Sequence, residues 1–197
     1  MTKGPILVTG ATGNTGREVL RALKERHTEA RAAVSSPEKA REHLGRDIDV
    51  TGSDFTDPAT WKLALEGCRG VFLLRPPPIS NVRETLNPFV DTAREVGAEQ
   101  VVFLSVAGAG ENRFVPHHDV EVHLQASKAP FTILRPGFFA QNLQDAYLRD
   151  ICEDDRIFVP AGHGRAAFID LHDVAAVAAE VFLEPEAHDR RAYTLTG

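Results

Sequence analysis

A chain of 197 residues with 43% apolar and 25% charged side chains can bury a core of its own without disulfide or metal staples. Its formal net charge of -6 argues against nucleic-acid binding, which needs a basic face. There is no run of 18 apolar residues and no apolar leader, so neither membrane insertion nor secretion is expected and a cytoplasmic location is the default.

From the amino end, Met1-Thr2-Lys3-Gly4-Pro5 leads straight into the apolar run Ile6-Leu7-Val8. Next comes Val8-Thr9-Gly10-Ala11-Thr12-Gly13-Asn14-Thr15-Gly16, then a helix marked by Val19, Leu20 and Leu23. The spacing Gly-x-x-Gly-x-x-Gly between a strand and a helix has a specific physical use. Gly10 allows a sharp turn, Gly13 lets backbone approach a pyrophosphate, and Gly16 lets helix and strand pack closely. The amides around Thr12, Gly13, Asn14 and Thr15 then face the phosphate charge at the helix N-terminus. No Gly-Lys-Ser or Gly-Lys-Thr follows, which sets aside an ATP-type loop. The expected ligand is NAD or NADP.

A second strand, Ala32-Ala33-Val34, ends without the carboxylate that would bind a ribose 2′-hydroxyl. Ser35, Ser36 and Lys39 stand there instead, with Arg41 close behind, and offer donors and positive charge to a 2′-phosphate. The expected preference is therefore NADP (as NADPH), with NAD as the other candidate. Ile48-Asp49-Val50 suits an edge strand, and Asp57-Pro58 suits a helix cap with proline in the first turn.

Val71-Phe72-Leu73-Leu74, Val101-Val102-Phe103-Leu104 and Phe131-Thr132-Ile133-Leu134 are apolar without alternation, as in parallel strands covered on both faces. Between them Val82, Leu86, Phe89, Val90, Ala93 and Val96 predict a helix ending at Gly97, kinked at Pro88. His117, His118 and His123 lack the i, i+4 pairing of a metal site, and no metal is expected. Gly162-His163-Gly164 reads as a turn. Asp170 and Asp173 read as cap and dipole partners of a last helix marked by Val174, Val177, Ala178 and Val181. Tyr193-Thr194-Leu195-Thr196 is the last strand candidate. The alternation throughout predicts one α/β domain over residues 1–197, a doubly wound parallel sheet of the Rossmann type in three αβα layers.

With this loop, the Asp54-Phe55 pair, Leu73-Leu74-Arg75-Pro76-Pro77 and Thr132-Ile133-Leu134-Arg135-Pro136-Gly137-Phe138-Phe139, the chain resembles the NmrA-like branch of the atypical short-chain dehydrogenases/reductases. That branch holds quinone reductases, triphenylmethane reductases and catalytically silent NADP-sensing regulators. The resemblance implies that Asp54 and Phe55 hold the adenine and that Leu74, Arg75 and Pro76 line the cofactor. It implies that Ser105 and His117 face the nicotinamide ribose as the catalytic-side residues, and that Pro136, Gly137 and Phe138 pack along the nicotinamide.

Orthodox relatives carry Tyr-x-x-x-Lys, and here Arg113 and His117 take those positions, while Tyr147 and Tyr193 are the only tyrosines. Relatives also continue past Gly197 into a substrate lobe, so a missing or truncated C-terminal lobe is expected. The implied activity is NAD(P)H-dependent hydride transfer to a small quinone-like or other conjugated substrate. The alternatives are an NADP-binding redox sensor and a non-redox tailoring protein. A homodimer paired through surface helices is allowed by the pattern but not demanded by it.

Overall fold

The central runs, rich in β-branched and aliphatic residues, pair side by side because they are apolar without alternation and need cover on both faces, while the outermost two strands are polar-containing and partly exposed. The computed structural model describes residues 4–45, 47–127, 129–157 and 162–197, so Met1, Thr2 and Lys3 lie outside the described residues. The strands are β1 (Ile6–Thr9), β2 (Ala30–Val34), β3 (Asp49–Gly52), β4 (Gly70–Leu74), β5 (Gln100–Leu104), β6 (Phe131–Pro136), β7 (Phe138–Phe139), β8 (Phe168–Ile169) and β9 (Arg191–Leu195). The main sheet runs β3-β2-β1-β4-β5-β6-β9 with every pair parallel, and β7 and β8 form a separate two-stranded parallel ribbon. The weak Ile48–Val50 run is an edge, as expected, and the Tyr193 run, expected as a last strand, forms the other edge.

The helices are α1 (Asn14–Glu25), α2 (Pro37–Leu44), α3 (Trp61–Leu65), α4 (Leu86–Glu95), α5 (Pro116–Ala126), α6 (Leu148–Asp154) and α7 (Leu171–Leu183). Along a strand the side chains alternate between two separate cores. Ile6 and Val8 pack with α1 and α7, while Leu7 packs with α3, α4 and α5. Those two apolar clusters are the spaces between the three layers of a Rossmann fold. The chain builds β1 to β3 outward, then returns to place β4 on the other side of β1. That reversal opens a crevice beyond the carboxyl ends of β1 and β4, where open α/β sheets bind ligands.

Two local expectations change. Pro88 causes no kink, because α4 begins at Leu86 and places the proline in its first turn, where a missing N–H leaves no helical bond unmade. Val82 is buried but lies ahead of the helix, in the turn whose carbonyl accepts from the Asn87 amide at 2.9 Å. The end at Gly97 holds: Gly97 and Ala98 donate to Arg94 and Ala93 carbonyls at 3.0 and 2.9 Å, a Schellman pair. Asp57 and Asp170 cap as expected, accepting from the amides of Ala59 and His172.

Gly16 sets the seat of α1 on β1. A Cβ there would stand 2.2 Å from the Gly10 carbonyl oxygen and 2.7 Å from Ala11 Cα, both backbone atoms that cannot rotate away. Gly16→Ala should therefore cost about 1–3 kcal/mol by overpacking, read as a lowered urea midpoint. A midpoint equal to that of the parent chain would show that helix and strand are not held this closely.

Candidate functional site

The site begins where β1 and β4 part. Their register ends at Val8 opposite Phe72, and the Thr9 hydroxyl then bridges the gap, donating to the Phe72 carbonyl at 3.1 Å and accepting from the Leu74 amide at 2.8 Å. Sequence reasoning passed over Thr9, since a buried threonine at a strand end has no signature of its own. Gly10 follows at φ +61, a left-handed turn that takes the chain out of the sheet. The helix cap is Gly13, so α1 starts with no side-chain cap and no acidic residue in its first turn. Its leading amides are left for an outside acceptor.

The three glycines differ in what surrounds them. Gly16 is enclosed by backbone, whereas a Cβ on Gly13 would meet only the Gly10 carbonyl, at an ordinary 3.4 Å. Gly13 keeps its missing side chain from the space in front of the loop, which is what close approach of a phosphate requires. That part of the cleft, about 360 Å³, is walled by Gly10, Thr12, Gly13, Asn14 and Thr15 on one side and by Phe139 and Asn142 on the other. Asn14 ties the two sides together, its Nδ2 donating to Asp145 at 2.5 Å and its Oδ1 accepting from Arg17 at 2.7 Å.

The cleft continues as a larger space of about 640 Å³ over the ends of β4, β5 and β6, a normal size for a small-molecule site. Leu74, Arg75, Ser105, His117, Pro136, Gly137 and Phe138 all line it, so the structure brings these expected residues together. Arg165, Ala166, Ala167 and Thr196 line it too and were not anticipated, because they come from short segments around β8 and β9 that carry no motif. Gly137 owes its place to packing: a Cβ there would meet the Ala167 carbonyl oxygen at 2.4 Å. Phe138 stands in an aromatic group with Phe168 and Tyr147, at centroid distances of 5.3 and 5.8 Å.

Beneath the cleft lies a buried charged network. Glu121, 1% exposed, accepts from Arg135 through both oxygens, at 3.0 and 2.6 Å, and from the Ser105 hydroxyl at 2.5 Å. The Ser105 proton therefore points to Glu121, where the resemblance implied a ribose. His117 sits in the first turn of α5, four residues before Glu121. Burial first, and the charge of Arg75 second, push the imidazole down to about 4, against an opposing pull from Glu121. Arg113 is exposed and lies ahead of α5, so no residue occupies the tyrosine position on that helix. Tyr193 is paired with His188 at 2.9 Å. His118 and His123 turn to the Ala109 carbonyl and to Asp91, and no group of three metal-ligating side chains occurs among the described residues.

The remaining expected residues, Ser35, Ser36, Lys39, Asp54 and Phe55, lie outside this cleft, at the ends of β2 and β3. The two ends are adjacent: Val34 pairs with Gly52, and the Ser53 amide donates to the Val34 carbonyl at 2.9 Å. Ser35, Ser36 and Lys39 are exposed, and Ser36 caps α2 without engaging its hydroxyl in the helix. Asp54 has one oxygen committed to Thr56, accepting from its amide and hydroxyl at 2.8 and 2.7 Å, and these bonds hold the carboxyl below its usual range. The Phe55 ring is buried edge-on against Phe89 at 5.0 Å, which leaves only its backbone for a ligand.

A family model described as NAD(P)H-binding matches residues 10–185. The chain is 34% identical over 200 residues to the NAD(P)H azoreductase of Xenophilus azovorans, covering 98% of this chain and 68% of that protein. The triphenylmethane reductase of a Citrobacter species, solved with NADP(H), superposes with a TM-score of 0.85 at 26% identity, covering 98% of this chain and 70% of the other. An NADPH-dependent quinone oxidoreductase of Escherichia coli, solved with NADPH, superposes with a TM-score of 0.85 at 27% identity, with 98% and 69% covered. The chain spans about two thirds of the length of the curated relatives it matches. No helix among the described residues is long and apolar enough to cross a membrane.

The buried network predicts a stability effect. Arg135→Met should cost about 3–5 kcal/mol, because it strands the Glu121 charge out of water. Adding Glu121→Gln, which removes that charge and keeps an acceptor for Ser105, should recover much of the loss. Equal urea midpoints for the single and double variants would contradict the pairing.

Proposed function

Because the chain belongs to the NAD(P)H-binding family, we propose that it is an NAD(P)H-dependent oxidoreductase that reduces a quinone-like or other conjugated small molecule. One observation carries this reading: two adjoining spaces that share Thr15, Leu74, Pro77 and Phe139 extend from the uncapped start of α1 to a wall of Pro136, Phe138 and Phe139. Such a space accepts an extended ligand with a charged middle and a flat, weakly polar end.

In this reading the free amides at the start of α1, Asn14 to Gly16, with that of Thr12, hold the pyrophosphate, while the Gly13 amide closes the turn onto the Gly10 carbonyl. Ser35, Ser36 and Lys39 receive a 2′-phosphate, and Asp54 and the Phe55 amide hold the adenine. Leu74, Pro136, Gly137 and Phe138 shape the inner end, with His117 and Ser105 at its floor, and Pro76 lines the phosphate end. When bound, the reduced nicotinamide supplies a hydride. The protein's own residues orient and shield, and none of those lining the cleft is placed as a strong proton donor. That suits a conjugated acceptor, whose product oxyanion is stabilised by delocalisation and takes its proton from solvent. The relatives that reduce azo compounds and quinones support the class of acceptor. A second reading, a redox sensor that holds NADP without turnover, is favoured by the missing tyrosine: Arg113, four residues before His117, is exposed and lies ahead of α5.

Three measurements test the reading. Mixed with NADPH and a panel of quinones, the protein should deplete the nicotinamide absorbance well above background; tight NADP binding with no depletion favours the sensor. Gly13→Val should keep the parent melting temperature while losing at least tenfold in NADPH affinity by calorimetry, and unchanged affinity would remove α1 as the phosphate site. Ser35→Asp should move the preference from NADPH toward NADH by about tenfold or more, the value of one lost charge-assisted bond plus a new repulsion. A constant affinity ratio would take the 2′-phosphate away from this strand end.

A further inference from the structure

Arg75 was expected to line the cofactor, yet its guanidinium is turned mostly onto the protein. Nη1 donates to the carbonyls of Pro76, Pro77 and Ile79 at 3.0, 3.1 and 2.6 Å, which holds the side chain in one place. Nε is directed at His117 Nε2, 3.3 Å away. A guanidinium stays charged and has no lone pair to offer, so it can only donate in this contact. The lone pair must then be on His117 Nε2, and the ring proton on Nδ1. That Nδ1 is buried and has no hydrogen-bond partner among the described residues, in a residue that lines the cleft.

We infer that Arg75 is a positioning residue that fixes His117 as the neutral Nδ1–H tautomer, leaving an unspent hydrogen-bond donor, and no cation, at the floor of the cleft.

The surroundings agree from each side. Arg75 faces the ring from the end of β4. Glu121 stands one turn further along α5, but Arg135 from β6 and Ser105 from the end of β5 occupy its oxygens, which blunts its pull on a proton. The Phe103 ring lies 6.1 Å from the imidazole between centroids and adds apolar cover. His118, the next residue on α5, is turned away to the Ala109 carbonyl at 2.8 Å. A buried donor without a partner is costly, and a catalytic role is among the reasons a fold keeps one. The lysine of orthodox relatives would bring a positive charge to this position; His117 held in this way brings a directional N–H instead.

The inference deepens the reading of the cleft as a reductase site, but its test does not depend on turnover. Nitrogen–proton correlation spectra of the histidine side chains are recorded on the whole chain, without cofactor or acceptor. His117 should show a protonated Nδ1 and a bare Nε2, unchanged as the pH falls to 5. In Arg75→Met the ring should shift toward the Nε2–H form and its titration should move up from about 4, burial still holding it below the ordinary range. A parent spectrum showing Nε2–H, or protonation of His117 near 6.5, overturns the inference, as does an Arg75→Met ring with unchanged tautomer and titration. If that variant does not fold, the parent tautomer decides. A failed reductase assay leaves this result standing, and a failed tautomer leaves the assay standing.

Discussion

The close seat of α1 on the end of β1 is the constraint on which the rest of the site depends. Gly16 permits it, and the left-handed turn at Gly10 delivers the chain to it. Once the helix is that near, its leading amides sit directly over the place where β1 and β4 separate, and the Thr9 hydroxyl closes the gap beneath them. A conventional cap such as serine or aspartate at position 13 would satisfy those amides internally, and an acidic first turn would oppose an incoming anion. The absence of both keeps the helix end available at a cost in local stability that the buried contacts of α1 with α7 offset.

The inner half of the cleft follows a different electrostatic rule. The charged groups at its floor are held in place or neutral. Glu121 is bound by Arg135 and Ser105, Arg75 is spread over three carbonyls, and His117 is uncharged near neutral pH. A low-polarity space of this kind strengthens any hydrogen bond made within it and excludes competing water. The pairing of a charged, open mouth with a quiet interior matches a ligand that is highly charged in the middle and aromatic at its end.

Much of this was readable in the sequence. The five strong apolar runs, both weak edges, the order of helices and the glycine loop all stand where local pattern put them, because parallel strands and amphipathic helices carry their burial in their own residues. The site residues taken from motifs were brought together in the inner cleft, from Leu74 to Phe138. What pattern could not supply was direction. Ser105 and Arg75 were placed at the right strand ends, but whether their polar groups face a ligand depends on Glu121 and Arg135, distant in sequence from Ser105, and on the turn after Arg75 that brings three nearby carbonyls onto its guanidinium. The β7–β8 ribbon and α6 were missed for a related reason: two-residue strands and a seven-residue helix have no period to detect. Pro88 misled because the apolar stripe began at Val82, ahead of the helix, and Thr85 caps α4 with its hydroxyl turned back to the Asn81 carbonyl instead of to the helix.

The link from Asn14 to Asp145 joins positions 131 residues apart. It couples the first residue of α1 to the stretch that walls the cleft from the other side. Substitutions in these two stretches, however distant along the chain, will not have independent effects; their energies will depart from additivity, as for any pair of residues in direct contact. Sequence change in one stretch therefore constrains which changes the other can accept.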